Sequence, residues 1–312
     1  TQLAAKACRQ LAERQALAGC LVDDLGWLFL RFEDLATAEK YIKEGLGLFQ
    51  ELKDRAGIAQ ALRHLGKSAL LKGLDQWYEP DESWNENSKE AEARYSESLR
   101  IRETLQEEGV DQRREIADMK LDFGRLCWLQ GRKYEQDGRA RESNEGILMA
   151  LRKYEQANKV SSEARALFEA LSNDRGIAKA WGNLGNATKE IAKCRFKDGQ
   201  MQDAALRVAE SREHYSKSLD VASTIKRKDE IAHALWGLAE VYELFADFAG
   251  YKDLRRVLPA ANARELLIES LDYALESAAL YKSLGGRKDI NATERLVTRI
   301  KDKIKGDKGD VL

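Results

Sequence analysis

A short phrase recurs along the chain, and an internal repeat of this kind narrows the available folds more than any local propensity does. Its clearest copies run from Asp54 to Gly66 (DRAGIAQALRHLG) and from Asp174 to Gly185 (DRGIAKAWGNLG). The repeat predicts a stack of similar units, because a unit of this size cannot bury its apolar face alone. Weaker copies lie at 114–124 and 229–239, an earlier copy ends at Leu25-Gly26, and a degenerate copy runs from Lys288 to Val297.

A second phrase, rich in tyrosine and leucine, alternates with the first. Tyr95–Leu99 (YSESL) corresponds to Tyr215–Leu219 (YSKSL). Gly47–Leu52 corresponds in the same way to 166–171 and to 279–284. Two alternating phrases predict that each unit contains two helices.

The composition favours helix almost throughout. Only two prolines, Pro80 and Pro259, interrupt a chain that is rich in alanine, leucine, glutamate, lysine and arginine. Proline breaks helices and the other five residues favour them, while the alternation typical of strands is absent. The sequence therefore predicts an all-α protein.

The clearest phrase has the periodicity of an amphipathic helix. Ile58, Leu62, Leu65 and Ala69 recur at helical spacing and are expected on one face. Gly66 follows Leu65, and the lack of a side chain there would let a neighbouring helix approach closely. Neighbouring helices are therefore expected to cover this face.

These phrases resemble the tetratricopeptide repeat family, in the roughly 40-residue variety with a Leu-Gly signature. That variety occurs in Pins-like modulators, kinesin light chains and the sensor arms of bacterial signalling ATPases. The resemblance covers roughly residues 15–300. It implies a right-handed superhelical solenoid of antiparallel helix pairs, with about five to six pairs forming one repeat domain over residues 1–300.

The spacing of the Leu-Gly position departs from the family pattern. The first step is 40 residues, and the later steps are 54 to 61 residues. Because 131–150 and 196–212 keep helix-forming compositions, the extra residues predict lengthened helices. The polar residues 301–312 are expected to form a flexible tail.

Residues 73–90 are the exception, and they are expected to form a true loop. This acidic segment contains Trp77, Tyr78, Pro80 and Trp84. It could fold back into the groove or recruit a basic partner. We favour the alternative, an insertion whose aromatic side chains pack on adjacent helices.

The resemblance implies that the first helix of each pair lines a concave groove that holds a peptide or a partner protein. Most of the residues expected there are basic or carry amides, which can bond carboxylates and peptide backbone, so we expect an acidic or amphipathic ligand. The alternative for each charged residue is a solvated helix face, whereas Leu62 and Trp181 are expected in the core. The predicted groove residues are Trp27, Arg63, Lys67, Arg125, Lys179, Asn183, Asn186, His233 and Trp236.

The sequence contains no pattern typical of catalysis, so we expect a non-catalytic scaffold or sensor domain. His64, His214 and His233 fall on different phrases, with no cysteine or second histidine at metal-binding or catalytic spacing. Phosphate-binding and nucleophile motifs are also missing. We therefore predict no catalytic residues, no metal and no cofactor.

Charge and cysteine content bear on the partner and the compartment. The chain has 52 Lys+Arg against 53 Asp+Glu, so no general attraction to nucleic acid or to anionic membranes is implied. RNA binding is retained as the alternative function, since some helical-repeat proteins enclose RNA. Four cysteines without paired spacing, no apolar stretch of membrane-spanning length and no secretory signal favour the cytoplasm. The chain begins at Thr1 rather than Met, which suggests the regulatory arm of a larger signalling protein, with an intramolecular partner domain outside this sequence.

Overall fold

The structure is a computed structural model that describes residues 13–75, 77, 82–140, 144–251, 261–285 and 287–306. Within these ranges the only regular secondary structure is helical, which confirms the all-α prediction. The helices are α1 (Arg14–Gly19), a π-helical turn (Cys20–Gly26), α2 (Trp27–Arg31), α3 (Leu35–Glu51), α4 (Arg55–Asp75), α5 (Glu82–Glu107), α6 (Arg113–Ala140), α7 (Asn144–Ala170), α8 (Asp174–Lys197), α9 (Met201–Thr224), α10 (Lys228–Phe248), α11 (Ala263–Leu284) and α12 (Arg287–Gly306).

The chain divides into two compact units, Thr1–Leu126 and Cys127–Leu312, with the boundary inside α6. The first phrase lies on α4, α6, α8, α10 and α12, which we call the A helices. The second phrase lies on α3, α5, α7, α9 and α11, which we call the B helices. The single repeat domain over 1–300 and the right-handed superhelix stay predictions.

The two repeated phrases pack on each other in the same way in both units. A Cβ added to Gly66 on α4 would lie 2.6 Å from the Tyr95 ring on α5. A Cβ added to Gly185 on α8 would lie 2.8 Å from the Tyr215 ring on α9. The glycine of the first phrase thus makes room for the tyrosine of the second, as its position after leucine predicts.

A buried serine of the second phrase fixes the direction of each pair. Ser98 Oγ donates to the Ala59 carbonyl at 2.6 Å, and Ser218 Oγ donates to the Ala178 carbonyl at 2.8 Å. On α4 the contacts move from Ala59 to Gly66 while on α5 they move back from Ser98 to Tyr95. Each A helix therefore runs antiparallel to the B helix that follows it.

The turns that lead into the helices also share one form. Asp54 Oδ1 accepts from the Gly57 N–H at 2.9 Å, and Asn173 Oδ1 accepts from the Gly176 N–H at 3.0 Å. These caps satisfy amides that have no partner within the helix. The residue before each cap, Lys53 or Ser172, has a positive φ of 56° or 51°. This common geometry is further evidence that the helix pairs are structural repeats.

The apolar face predicted for α4 lies in the core. Leu62, Leu65 and Ala69 are buried, and Ile58 is half-buried against the same core. Trp181 differs from the prediction, because its ring is half-buried rather than part of the core. The Arg165 guanidinium carbon lies 4.5 Å from the centroid of the Trp181 ring, and the Lys217 Nζ lies 4.6 Å from it. These two cation–π contacts stabilise the part of the ring that is not buried.

The loop predicted over 73–90 is largely helical. α4 continues to Asp75 and α5 begins at Glu82, while Gln76 and 78–81 lie outside the described residues. Trp84 is only 2% exposed and packs on Gly73, where an added Cβ would lie 2.9 Å from its ring. Burial of this indole stabilises the start of α5, so the predicted packing of the aromatic side chains on adjacent helices is confirmed for Trp84.

The flexible tail predicted over 301–312 is wrong for its first part. α12 continues to Gly306, and 307–312 lie outside the described residues. Lys303 Nζ lies 2.7 Å from Asp247 Oδ1 and 3.0 Å from Glu243 Oε1 of α10, which holds the end of α12 in place. The lengthened helices are confirmed, since α6 has 28 residues and α7 has 27.

Candidate functional site

The predicted groove residues divide between the two units, so they form two groups. Unit 1 holds Trp27, Arg63, Lys67 and Arg125. Unit 2 holds the remaining five on α8 and α10. Each group is described by itself.

In unit 1, Arg63 is occupied by carboxylates of the next A helix. Its Nε donates to Asp122 Oδ2 at 2.6 Å, and its Nη1 lies 4.0 Å from Asp118 Oδ2. Burial opposes the charge, but Asp122 and Asp118 outweigh it and raise the pKa of Arg63. Arg125 is exposed and has no ion pair with any described residue. Of these two cations, only Arg125 is available to an acidic ligand.

Trp27 carries its own cation rather than presenting an open face. Its ring stacks on His64 with centroids 5.5 Å apart, and Lys67 Nζ lies 4.0 Å from its centroid. Trp27 follows the π-helical turn Cys20–Gly26. The carbonyl oxygen of Val22, which lies in that turn, is 3.1 Å from His64 Nδ1. These contacts hold Trp27 in place and lower its value as an anchor for a ligand.

His64 gives unit 1 a specific pH dependence. Burial, and next the Arg63 charge, lower the pKa of His64 to about 4. The fold therefore holds the neutral ring, so its contribution is complete above the unfolded pKa of about 6.5 and is lost as the pH falls towards 4. We expect a loss of about 3 kcal/mol in the free energy of unfolding across this window.

Urea unfolding at a series of pH values checks this prediction. Burial also lowers the pKa of His214, so His214 adds to the pH dependence of both proteins. The informative quantity is therefore the difference between the wild type and His64→Gln, which should lose most of the dependence between pH 6.5 and 4. Equal slopes in the two proteins would show that His64 is not held neutral.

In unit 2, four of the predicted residues form one surface, which we call the α8–α10 surface. Asn183 and Asn186 lie on one face of α8, and His233 and Trp236 lie on one face of α10, because positions three residues apart share a side of a helix. Asn186 Nδ2 lies 3.2 Å from His233 Nε2, which joins the two faces. The fifth residue, Lys179, lies one turn before Asn183, with its Nζ 3.8 Å from Glu230 Oε1.

The side chains of the α8–α10 surface differ in whether they already have partners within the fold. Asn186 Oδ1 accepts from the Tyr215 hydroxyl at 2.7 Å, so this amide is engaged within the fold. Asn183 is half-buried and has no hydrogen bond to any described residue. Trp236 is half-buried, with one side packed on the core of unit 2. A free amide and an aromatic side chain therefore lie on neighbouring A helices.

Sequence reasoning missed a series of ion pairs that join successive A helices in unit 2. Lys189 of α8, only 1% exposed, pairs with Glu240 of α10. Burial would raise the pKa of Glu240, but Lys189 and Lys193 outweigh it and lower the pKa to about 2. Arg299 of α12 donates to both oxygens of Glu243 at 2.9 and 2.6 Å. No local sequence signal links these partners, because Glu240 lies 51 residues after Lys189 and Arg299 lies 56 residues after Glu243.

These pairs change the charge expected of the ligand surface. Arg63 and Lys179, named as basic groove residues, each face a carboxylate of the next A helix. Their charges help to hold neighbouring helices and are largely neutralised there. The surface is therefore less basic than the sequence predicts. Within the described part of the chain, no group of His, Cys, Asp and Glu is arranged to hold a metal ion, and no helix is long and apolar enough to span a membrane.

Comparisons with known proteins do not assign the chain to a family. No protein-family model matches the sequence, and no curated protein matches it. Among solved structures, the de novo designed helical repeat protein DHR81 has a TM-score of 0.47 at 19% identity, covering 72% of this chain and 94% of that protein. The designed repeat DHR64 has a TM-score of 0.41 at 16% identity, covering 74% and 99%. A circular tandem repeat protein with novel repeat topology covers 94% of this chain and 71% of its own, with a TM-score of 0.39 at 15% identity. Likeness at this level assigns neither a family nor a function.

Proposed function

We propose that the chain is a non-catalytic scaffold that binds a peptide or a partner protein through its A helices. The observation that carries this proposal is the α8–α10 surface, where Asn183 has no partner among the described residues beside the half-buried Trp236. An amide offers a donor and an acceptor, the two groups that a peptide backbone needs. A tryptophan that is partly buried in its own core is a rigid apolar contact for a ligand side chain.

The neutralised cations refine the chemistry of the partner. Lys179 lies near Glu230 and Lys189 pairs with Glu240, so part of the positive charge expected on these helices is already compensated within the fold. We therefore favour an amphipathic segment over a strongly acidic one. A segment of this kind would place one apolar side chain on Trp236 and bond Asn183 through its backbone.

Tetratricopeptide membership and a regulatory role within a larger cytoplasmic signalling protein are part of the same proposal. They rest on the Leu-Gly phrases and on the packing of Gly66 and Gly185 against tyrosines of the B helices. A partner domain in the same polypeptide would use the same surface as a separate protein.

Selection from a random peptide library displayed on phage tests the proposal. Peptides that bind the purified chain are expected to lose at least about tenfold in affinity for Asn183→Ala and for Trp236→Ala. Glu213→Ala on the B helix α9 is the matched control and should leave the affinity unchanged, because Glu213 is exposed and pairs only locally with Lys217.

Two outcomes would contradict the proposal. Selected peptides could bind both variants as tightly as the wild type, which would place the site elsewhere. A labelled RNA pool could shift with the wild type at low salt and lose the shift as salt rises, which would favour the RNA alternative.

A further inference from the structure

Unit 1 contains a buried cation that forms no ion pair with any described residue. Arg102 on α5 is 3% exposed, and no carboxylate of a described residue lies within ion-pair distance of its guanidinium. Buried charges in proteins are normally paired, because removing a charge from water is costly. The other buried cations follow this rule, since Lys189 pairs with Glu240 and Lys133 lies 3.5 Å from Asp137. Arg102 therefore needs a separate explanation.

Two neutral amides hold the guanidinium in place. Arg102 Nη1 donates to Gln112 Oε1 at 2.8 Å, and Arg102 Nη2 donates to Gln60 Oε1 at 2.8 Å. Arg102 Nε is buried and has no hydrogen-bond partner in the part of the chain that the structure describes. A guanidinium has five N–H donors in a rigid fork, so two bonds leave most of its capacity unused.

The guanidinium also lies at the amino-terminal end of α6. Gln112 precedes this 28-residue helix, and its carbonyl accepts from the Ile116 N–H at 2.8 Å. The first turn of a helix carries unpaired N–H groups and a partial positive charge, which favours anions. Asp111 Oδ1 accepts from the Arg113 N–H at 3.2 Å and so covers one of these groups. Arg102 and the helix end thus add two sources of positive potential at one place.

The carboxylates around Arg102 either bond to other residues or act on it only through space. Asp23 is bonded to Gln60 Nε2 at 3.0 Å rather than to the guanidinium, and Arg63 is committed to Asp122. Glu115 and Asp118 act on Arg102 only through space, without a hydrogen bond to it. Burial is the main influence on Arg102 and lowers its pKa, with Glu115 the first of the charges that oppose this.

We propose that Arg102, together with the amino-terminal end of α6, binds a carboxylate carried by a partner. A carboxylate matches the fork of a guanidinium and accepts two parallel N–H bonds. The carboxylate could belong to an acidic side chain or to the end of a polypeptide. This site goes beyond the proposed function, because Asn183 and Trp236 lie in the other unit.

The test uses the full chain with ¹⁵N-labelled arginine, in which the buried Nε–H of Arg102 reports directly on the site. Its resonance is assigned by its loss in Arg102→Lys. Sodium acetate is the probe, titrated against sodium chloride at equal ionic strength. We expect a saturable shift of the Arg102 resonance with acetate only, and a Tm about 2 °C higher in about 100 mM acetate than in chloride.

Variants separate binding from folding. Arg102→Met, which keeps an unbranched apolar side chain and removes the charge, should abolish the difference in Tm. If Arg102→Met does not fold, Arg102→Lys serves instead, and it should weaken the acetate effect because an ammonium lacks the fork. An end-blocked peptide with one glutamate, compared with a peptide whose only carboxylate is its terminus, identifies the source.

Two results would overturn the proposal. The Arg102 resonance could stay in place up to about 100 mM acetate or move equally with chloride, which would show no carboxylate site. The difference in Tm between acetate and chloride could also persist in Arg102→Met, which would place the acetate effect elsewhere in the chain. Neither result would affect peptide binding at the α8–α10 surface, so the two proposals fail independently.

Discussion

Gly237→Ala is expected to lower the free energy of unfolding by about 3 kcal/mol, although alanine is the better helix former by about 1 kcal/mol. A Cβ at this position of α10 would lie 2.1 Å from the Tyr215 ring, far inside contact distance. Tyr215 cannot move away easily, because its ring is fully buried and also packs on Gly185 of α8. Its hydroxyl is bonded to Asn186 as well. The added methyl group therefore has to displace a helix or expel the ring.

Urea unfolding followed by circular dichroism measures this effect, and Gly47→Ala is the matched control. Gly47 lies inside the helix α3, and nothing lies within 4 Å of an added Cβ. The control should gain roughly 0.5–1 kcal/mol from the higher helix propensity of alanine. If both variants were stabilised, the Tyr215 ring would not be packed between Gly185 and Gly237 in the folded protein.

Glu240→Gln is expected to cost about 3 kcal/mol, because it leaves the buried ammonium of Lys189 without its main counter-charge. Glu190 Oε1 lies 3.8 Å from the same Lys189 Nζ, and this weaker ion pair is the only one left to Lys189 among the described residues. The loss should appear as a lower midpoint of urea unfolding with an unchanged slope.

A double-mutant cycle distinguishes an uncompensated charge from a general defect. Lys189→Met combined with Glu240→Gln should recover much of the loss, since neither charge then remains in the core. Glu213→Gln, which breaks an exposed pair with Lys217 on α9, should cost no more than about 0.5 kcal/mol. Equal costs for Glu240→Gln and Glu213→Gln would mean that the A-helix pairs contribute little to stability.

The sequence predicts the fold where local patterns repeat. The packing of Tyr95 on Gly66 and the bond from Ser98 to Ala59 join residues that both belong to recurring phrases. A recurring pair of phrases implies a recurring contact, so the helix pairs can be predicted from the sequence. The lengthened helices follow in the same way, because helix propensity is a local property.

The sequence cannot predict features that depend on which distant side chains meet. The segment around Trp84 has the composition of a loop, but in the structure it is helical and Trp84 packs on Gly73 and Trp77. Trp181 occupies a core position of the phrase but lies between Arg165 and Lys217 of two other helices. Both outcomes are set by tertiary contacts, which override local preference.

The candidate site shows the same limit. The positions of Asn183 and Trp236 follow from the phase of the repeat, and both were among the residues named from the sequence. The carboxylates that neutralise Arg63 and Lys179 lie 59 and 51 residues further along the chain, so no local pattern links them. The isolation of Arg102 is likewise a property of the assembled unit.

Hydrogen exchange of the full chain, alone and with the tightest peptide from the display selection, tests the central claim that the α8–α10 surface binds the partner. Peptide contact there should slow exchange at amides 179–186 of α8 and 233–236 of α10, while α9 and α11 should change little. Protection confined to α9 and α11, with none at Asn183 or Trp236, would contradict the account.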